Sequence, residues 1–304
     1  MYIIYKFKYT LYHNEGFFLM QITKENLTII IVTIKSQKVI EGCLNSIDPD
    51  IKKIVVENSS NKNFIDEISR KYRNIECYLT GKNLGMGSGN NFGIKKSKTR
   101  YVMILNPDVV LDKNTIDEIL KISHNLNFAI LSPTNKDKNY PNYKIKNKTK
   151  KKSSLFEVDS VDGYAMILDK TKFENNFFDE KIFMYLENDD LCLRLKKKGE
   201  KIFVYNKSLI LHLGAKAVDS KYSDEIEYSR NWHWSWSKFY FRKKHFGLAI
   251  ALFKSLPSLL NSFLKFCFYF LISDKLKFKS NFYRTSGLFN SIINKDSWFR
   301  PRLD

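Results

Sequence analysis

A chain of 304 residues can bury one substantial core and still carry an appendage, which favours one catalytic domain with a terminal extension over two equal domains. With 43% hydrophobic and 15% aromatic residues, the composition is that of a folded protein and excludes a disordered one. The 51 Lys and Arg against 32 Asp and Glu leave a formal charge of +19, which favours anionic partners such as nucleotides, membrane surfaces or nucleic acid without choosing among them.

In chain order, residues 1–25 form an N-terminal extension with no uninterrupted apolar core and no small-residue cleavage site, which argues against a secretory signal. Met20 is a second candidate start. From Leu27 the pattern becomes regular: LTIIIVTI, IKKIVVEN, IECYLT and YVMILN are short β-branched runs, each followed by a helix-length amphipathic stretch. That alternation indicates βαβ units and a mostly parallel sheet covered on both faces, an α/β fold. Ligands of such sheets lie beyond the carboxyl ends of the strands, so Glu57 and Asn58, the loop 83–89 and residues 106–108 should converge on one crevice.

After the strand FAILSP, residues 136–152 hold eight Lys and one Asp and read as a mobile, solvated surface loop. Order returns with VDSVDGYAMIL, then a turn, a short helix and two further strands within FFDEKIFMYLENDDLCLRLKKKGEKIFVYNKSLILHLG. In that helix Leu191 and Leu195 face the core and Gly199 ends it. From about Tyr222 the chain turns aromatic and basic. The stretch 248–272 is long and apolar, but Lys254, Pro257, Asn261 and Lys265 interrupt it. It reads as a segment lying on a membrane surface, with Arg242, Lys243 and Lys244 meeting anionic headgroups; the alternative is a helical pair packed on the catalytic domain. Cys43, Cys77, Cys192 and Cys267 are scattered singly, so neither a disulfide framework nor a zinc site is indicated and a reducing cytoplasm fits.

Several strings carry chemistry. NLGMGSGNNFGI has Gly85, Gly87 and Gly89 ahead of a helix, yet it fails the dinucleotide fingerprint at Asn90 and follows the third strand. In LNPDVVL, Asp108 stands at a strand end where a divalent cation could neutralise a leaving diphosphate; ordinary turn chemistry explains the same string. Glu187 and Asp190, spaced i and i+3 at a helix start, can accept a proton from a hydroxyl or simply cap the helix. His212 ends a strand and could add a nitrogen ligand to the same cation.

Taken in order, VVENSS, NLGMGSGNNFGI, YVMILNPDVVL, VDGYAMIL, FFDEKIFMYLENDDLCLRL and LHLG resemble family 2 of the inverting GT-A glycosyltransferases, nearest to its bacterial rhamnosyltransferase-like members. The resemblance covers residues 26–217 and implies a GT-A domain there; the helical, basic and aromatic segment 218–304 is expected, on its own composition, to be membrane-associated. It implies that Thr33, Glu57, Asn58, Asn83, Gly85 and Asn106 surround the donor nucleotide, with Glu57 where the family usually has a base-reading Asp. It implies further that Asp108 and His212 hold Mn2+ or Mg2+, and that Asp162 and Gly163 border the acceptor pocket. Many relatives read E-D-x-D-L with the second acid as catalytic base. Here Asn188 fills that position and cannot take a proton, so Glu187 or Asp189 must serve; Glu187 is the choice, with Asp190 orienting the acceptor or stabilising the helix.

The expected function is inverting transfer of rhamnose or another hexose from a nucleoside-diphosphate sugar, dTDP-rhamnose or a UDP-sugar. The acceptor is a glycan, polyprenyl-diphosphate-linked by family analogy, and the place is the cytoplasmic face of the cell membrane. A catalytically silent scaffold, suggested by Asn188, and a basic nucleic-acid-binding protein are the alternatives; the latter leaves the polar strand ends unexplained.

Overall fold

The computed structural model describes residues 21–145, 153–214 and 218–303. Its centre is a nine-stranded sheet with the main order β3-β2-β1-β4-β10-β6-β11-β5. Strands β1 (Leu27–Thr33), β2 (Lys52–Glu57), β3 (Ile75–Leu79) and β4 (Tyr101–Leu105) are mutually parallel where they pair. β10 (Ala165–Asp169) runs antiparallel between β4 and β6 (Ile130–Asn135), and β11 (Ile202–His212) is parallel to β6 and antiparallel to β5 (Val109–Leu111) and β8 (Leu155–Glu157).

The period-2 alternation of β1 explains the layers. Ile29 and Ile31 point into one core with α1 (Ile40–Asn45), α2 (Lys62–Lys71) and α4 (Thr115–Ile122), while Ile30 and Val32 point into another with α3 (Met86–Lys96) and α5 (Glu187–Lys197). Each fully buried Ile contributes roughly 1.5–3 kcal/mol. Helix α3 lies tight on β1 because Gly93 faces Ile30, where a side chain's Cβ would come within 2.5 Å of Ile30 Cγ2. In α5, Leu191 and Leu195 are buried as the spacing predicts, and Gly199 follows the helix with a left-handed φ of 78°.

Two local expectations are corrected. The strands expected after α5 are one long β11, kinked by a register shift between Tyr205 and Leu209. Within the lysine-rich segment, Tyr143–Lys144 form β7, paired with β9 (Ser160–Val161), and Asn142 is fully buried, donating to Pro133 O and accepting from Asn135 N. Satisfying these buried groups anchors the segment that composition alone makes a loop; residues 146–152 lie outside the described residues, as do 1–20 and the expected boundary at 217.

Three helices follow: α6 (Ser223–Phe246), α7 (Leu248–Leu271) and α8 (Lys275–Ile292). Helix α6 docks on the chain just ahead of α5, with Ser237 Oγ donating to Met184 O at 2.8 Å and Tyr240 OH donating to Asp179 at 2.9 Å. Packing on the catalytic domain, the alternative reading, thus describes α6, whereas α7 leaves Phe253 and Leu271 about four-fifths exposed, at 80% and 79%. Among the described residues no helix is long and apolar enough to cross a membrane.

Candidate functional site

The parallel strands end on one rim, and hydrogen bonds there fix the loops. Thr33 and Glu57 are register partners on β1 and β2, and Thr33 Oγ1 donates to Glu57 Oε2 at 2.6 Å while Ser59 Oγ donates to Oε1. Glu57 is 1% exposed, and burial raises its carboxyl pKa against these two hydrogen bonds. Its longer side chain therefore ties the two strand ends together instead of reaching outward. Asn58 does similar work for the glycine loop: its Nδ2 donates to Asn83 Oδ1 and Gly85 O, and its Oδ1 accepts from Leu84 N.

A second corner forms where β4 and β11 end. Asp108 and His212 approach to 3.5 Å between Oδ2 and Nε2, and the His212 ring stacks on Tyr164 with centroids 4.1 Å apart. Asn106 sits beside them, its backbone N bonded to Tyr164 O, and its buried Oδ1 has no hydrogen-bond partner among the described residues. Asp162 is raised in pKa by burial and feels Lys144, Asp189 and His212, which places it between this corner and the start of α5. Gly163 faces Asn188, where an added Cβ would lie 3.4 Å from Asn188 Cβ.

The entry to α5 is strained. Tyr185 and Leu186 both adopt left-handed backbone, φ 70° and 69°, a conformation costing a non-glycine residue about 1–3 kcal/mol. Directly after them comes Glu187, 9% exposed, with Oε2 buried and without a hydrogen-bond partner among the described residues. Burial pushes its carboxyl up to about 7. A carboxylate so placed can take a proton near neutral pH. Asn188 donates to Val161 O at 2.8 Å and so fastens the turn to β9. Asp189 pairs with the exposed Lys144 at 2.7 Å.

Asp190 departs from the acceptor-orienting half of its expected role. It is fully buried and engaged by Arg194 at 2.8 Å, Lys244 at 2.6 Å and His245 at 2.8 Å, so it clamps α5 to the end of α6. The i, i+3 spacing does not put both acids to one use.

The rim is continuous with this entry. Gly85 has a left-handed φ of 86°, and a Cβ there would fall 2.3 Å from Phe183 O. Met86 N donates to that same oxygen, and an added Cβ on Gly87 would lie 3.7 Å from Glu187 Cβ. Of the expected site residues, Asp190 is thus drawn off to join α5 to α6, and Glu57 to join the ends of β1 and β2. Sequence reasoning missed Tyr164, although it stands in the quoted VDGYAMIL string, and the pair Lys244 and His245, which carried only a basic-segment signal.

For a divalent cation the fit is partial. Asp108 and His212 supply one hard oxygen and one imidazole nitrogen side by side, a donor set suited to Mn2+ or Mg2+. Among the described residues no group of three or more His, Cys, Asp or Glu could hold a metal ion. Cations that bind phosphates usually take further ligands from substrate and water.

Residues 28–192, more than half of the chain, match glycosyl transferase family 2. The chain belongs to that family. The glycosyltransferase is 28% identical over 213 residues to the low-salt glycan biosynthesis hexosyltransferase Agl10 of Haloferax volcanii, covering 63% of this chain and 68% of that protein. It is 25% identical over 207 residues to the rhamnosyltransferase WbbL of Escherichia coli, covering 57% of this chain and 78% of that one. In fold it is similar to the mannosyltransferase PcManGT of Pyrobaculum calidifontis, solved with GDP-Man and Mn2+, with a TM-score of 0.54 at 11% identity over 96% of this chain and 94% of that one. The expected GT-A architecture therefore holds: a mostly parallel sheet with helices on both faces, followed by C-terminal helices.

Proposed function

We propose that this glycosyltransferase moves rhamnose or another hexose, with inversion, from a nucleoside-diphosphate sugar to a lipid-linked or cell-surface glycan. The observation that carries the reading is Glu187, a buried carboxyl shifted to about 7 and held by strained backbone beside the glycine loop. The names of the two relatives, a hexosyltransferase of glycan biosynthesis and a rhamnosyltransferase, support the sugar class.

In this reading Glu187 Oε2 takes the proton of the acceptor hydroxyl as that oxygen attacks the anomeric carbon and the nucleoside diphosphate leaves from the opposite face. Thr33, Glu57, Asn58, Asn83 and Gly85 shape the nucleotide side of the cleft, and Asp162 and Gly163 border the acceptor. Asp108 and His212 would hold Mn2+ or Mg2+, which when bound supplies neutralisation of the charge developing on the diphosphate. The exposed apolar residues of α7 support work at the cytoplasmic membrane surface. Asn188 favours a silent scaffold, but the partnerless oxygen of Glu187 one residue earlier favours chemistry.

The test is release of nucleoside diphosphate from a panel of nucleotide sugars with Mn2+, comparing wild type with Asp108→Asn. Turnover should fall at least 100-fold, in the range of a lost electrostatic contact in a transition state. Wild-type turnover by the variant removes Asp108 from the reaction.

A further inference from the structure

A crevice of about 490 Å³ opens between α6, α7 and α8, within the usual size range of small-ligand sites. Arg230, Lys238, Arg242, Lys254 and Arg284 line it, against the single carboxylate of Glu227. The chain is basic throughout, yet elsewhere a cation commonly meets its own carboxylate, as Lys24 meets Asp48 at 2.5 Å and Arg100 meets Asp169 at 2.7 Å. Here the partners are mostly neutral: Arg284 donates to Asn231 Oδ1, and Arg242 donates to Lys254 O and Ser255 Oγ at 3.0 Å each. Arg230 reaches Glu227 only at 3.9 Å. Burial lowers the pKa of Lys238, and Arg242 lowers it further, the mark of like charges held close. Forked guanidinium donors suit the oxygens of a carboxylate or a phosphate.

The same crevice has an aromatic corner. Tyr185 and Trp234 both line it and meet edge to face, with centroids 5.5 Å apart and planes at 81°. Trp234 is 46% exposed, so an indole stands open in a crevice that is otherwise largely polar. A sugar ring has surfaces for both features, a C–H face that packs on an aromatic ring and polar substituents that reach the charged groups around it. Tyr185 also stands two residues ahead of Glu187. Burial raises the pKa of its phenol, Arg230 opposes that rise and Glu187 adds to it, which sets Tyr185 between the crevice and the residue read as the base.

We infer that the crevice seats an acidic sugar of the acceptor glycan, its ring packed on the aromatic corner and its carboxylate or phosphate held among Arg230, Arg242 and Arg284. The inference rests on the reading of Glu187 as the base that meets this acceptor. It adds a requirement for charge on the acceptor sugar that the transfer itself does not impose.

Methyl glucuronide and methyl glucoside 6-phosphate probe the two acids, methyl glucoside the neutral ring, inorganic phosphate a bare anion, and phosphatidylglycerol vesicles a charged bilayer. Titration of the full chain should show one acidic sugar binding about tenfold or more tighter than the glucoside, the size of one charge-assisted hydrogen bond; the tighter of the two names the acid. The Lys254→Gln/Arg284→Gln double variant, altered at two exposed positions, should lose about tenfold of that affinity, with glucoside binding and thermal unfolding as in wild type. Trp234→Ala should weaken acidic and neutral sugars alike. Equal affinity for acidic and neutral sugars overturns the inference, as does a double variant that keeps the preference or undiminished sugar binding by Trp234→Ala. Inorganic phosphate binding as tightly as the better acidic sugar also overturns it, because the ligand is then a simple anion. Vesicle binding that the double variant loses, with no sugar preferred, overturns it in favour of the bilayer. These titrations need neither donor nor turnover, whereas nucleoside diphosphate released into water from a donor panel tests the transfer by itself. Release without a preference for acid strikes the inference alone; a preference for acid without release leaves the crevice its ligand and counts against the transfer.

Discussion

The two sides of the first turn of α5 hold carboxylates three residues apart, both nearly or fully buried, and the molecule treats them in opposite ways. On the side facing the glycine loop, Glu187 keeps one oxygen without a partner and its pKa rises to about 7. On the side facing α6, Asp190 is surrounded by Arg194, Lys244 and His245. Burial alone therefore does not mark a reacting group. What distinguishes the two is whether the fold has already supplied the counter-charge.

The largest effect should separate them by kind. Glu187→Gln keeps the shape and removes the proton acceptor, so kcat should fall 100- to 10,000-fold, the usual span of general-base catalysis, with folding retained. A variant with kcat within threefold of wild type would place the base elsewhere, Asp189 first. Asp190→Ala should do the reverse. It removes the carboxylate that Arg194, Lys244 and His245 share, leaving Lys244 only Asp179, and should cost about 3 kcal/mol of stability, read by denaturant unfolding, with activity lost in proportion to unfolding. If that variant were as stable as wild type yet inactive, Asp190 would belong to the chemistry after all.

Titration sharpens the contrast. A base with a pKa of about 7 must be ionised to work, so kcat should rise about tenfold per pH unit below 7 and level off above it. The sign for stability is opposite. Because the folded-state pKa lies above the 4.5 of an ordinary glutamate, the native state holds this proton more tightly, and stability falls as pH rises from about 4.5 to about 7. The loss is at most about 3 kcal/mol and should vanish in Glu187→Gln. The smallest effect is expected at the rim of the same turn: Lys144 is 63% exposed, so Lys144→Gln should change stability by less than about 1 kcal/mol despite its 2.7 Å contact with Asp189. A larger loss would mean that Asp189 depends on Lys144 in the way that Asp190 depends on α6.

Much of the scaffold was legible because it rests on local periodicity. Alternating Ile and Val in β1 face two different cores, and that pattern is written in consecutive residues. The order of the strand ends on one rim followed from the same rule. What could not be read depends on partners far away in sequence. Glu57 carries no mark that the β1–β2 register will bind it to Thr33, nor Asp190 that residues 54 and 55 positions later will neutralise it. The strained turn was also silent, since Tyr185 and Leu186 are not residues that announce a positive φ. Asn142, in a lysine-rich stretch, gave no sign that it would be buried and bonded. The roles of Asp108 and His212 came from resemblance, and the fold adds only that they lie 3.5 Å apart.

The contact between Gly85 and Phe183 carries one more consequence. The bare backbone of Gly85 lies against both the carbonyl and the ring of Phe183, and Met86 N pins the junction through the same carbonyl. In the proposed reading, the segment that would cradle the donor and the segment that would present the proton acceptor are therefore joined at this point. In that reading their spacing is built in before either substrate arrives.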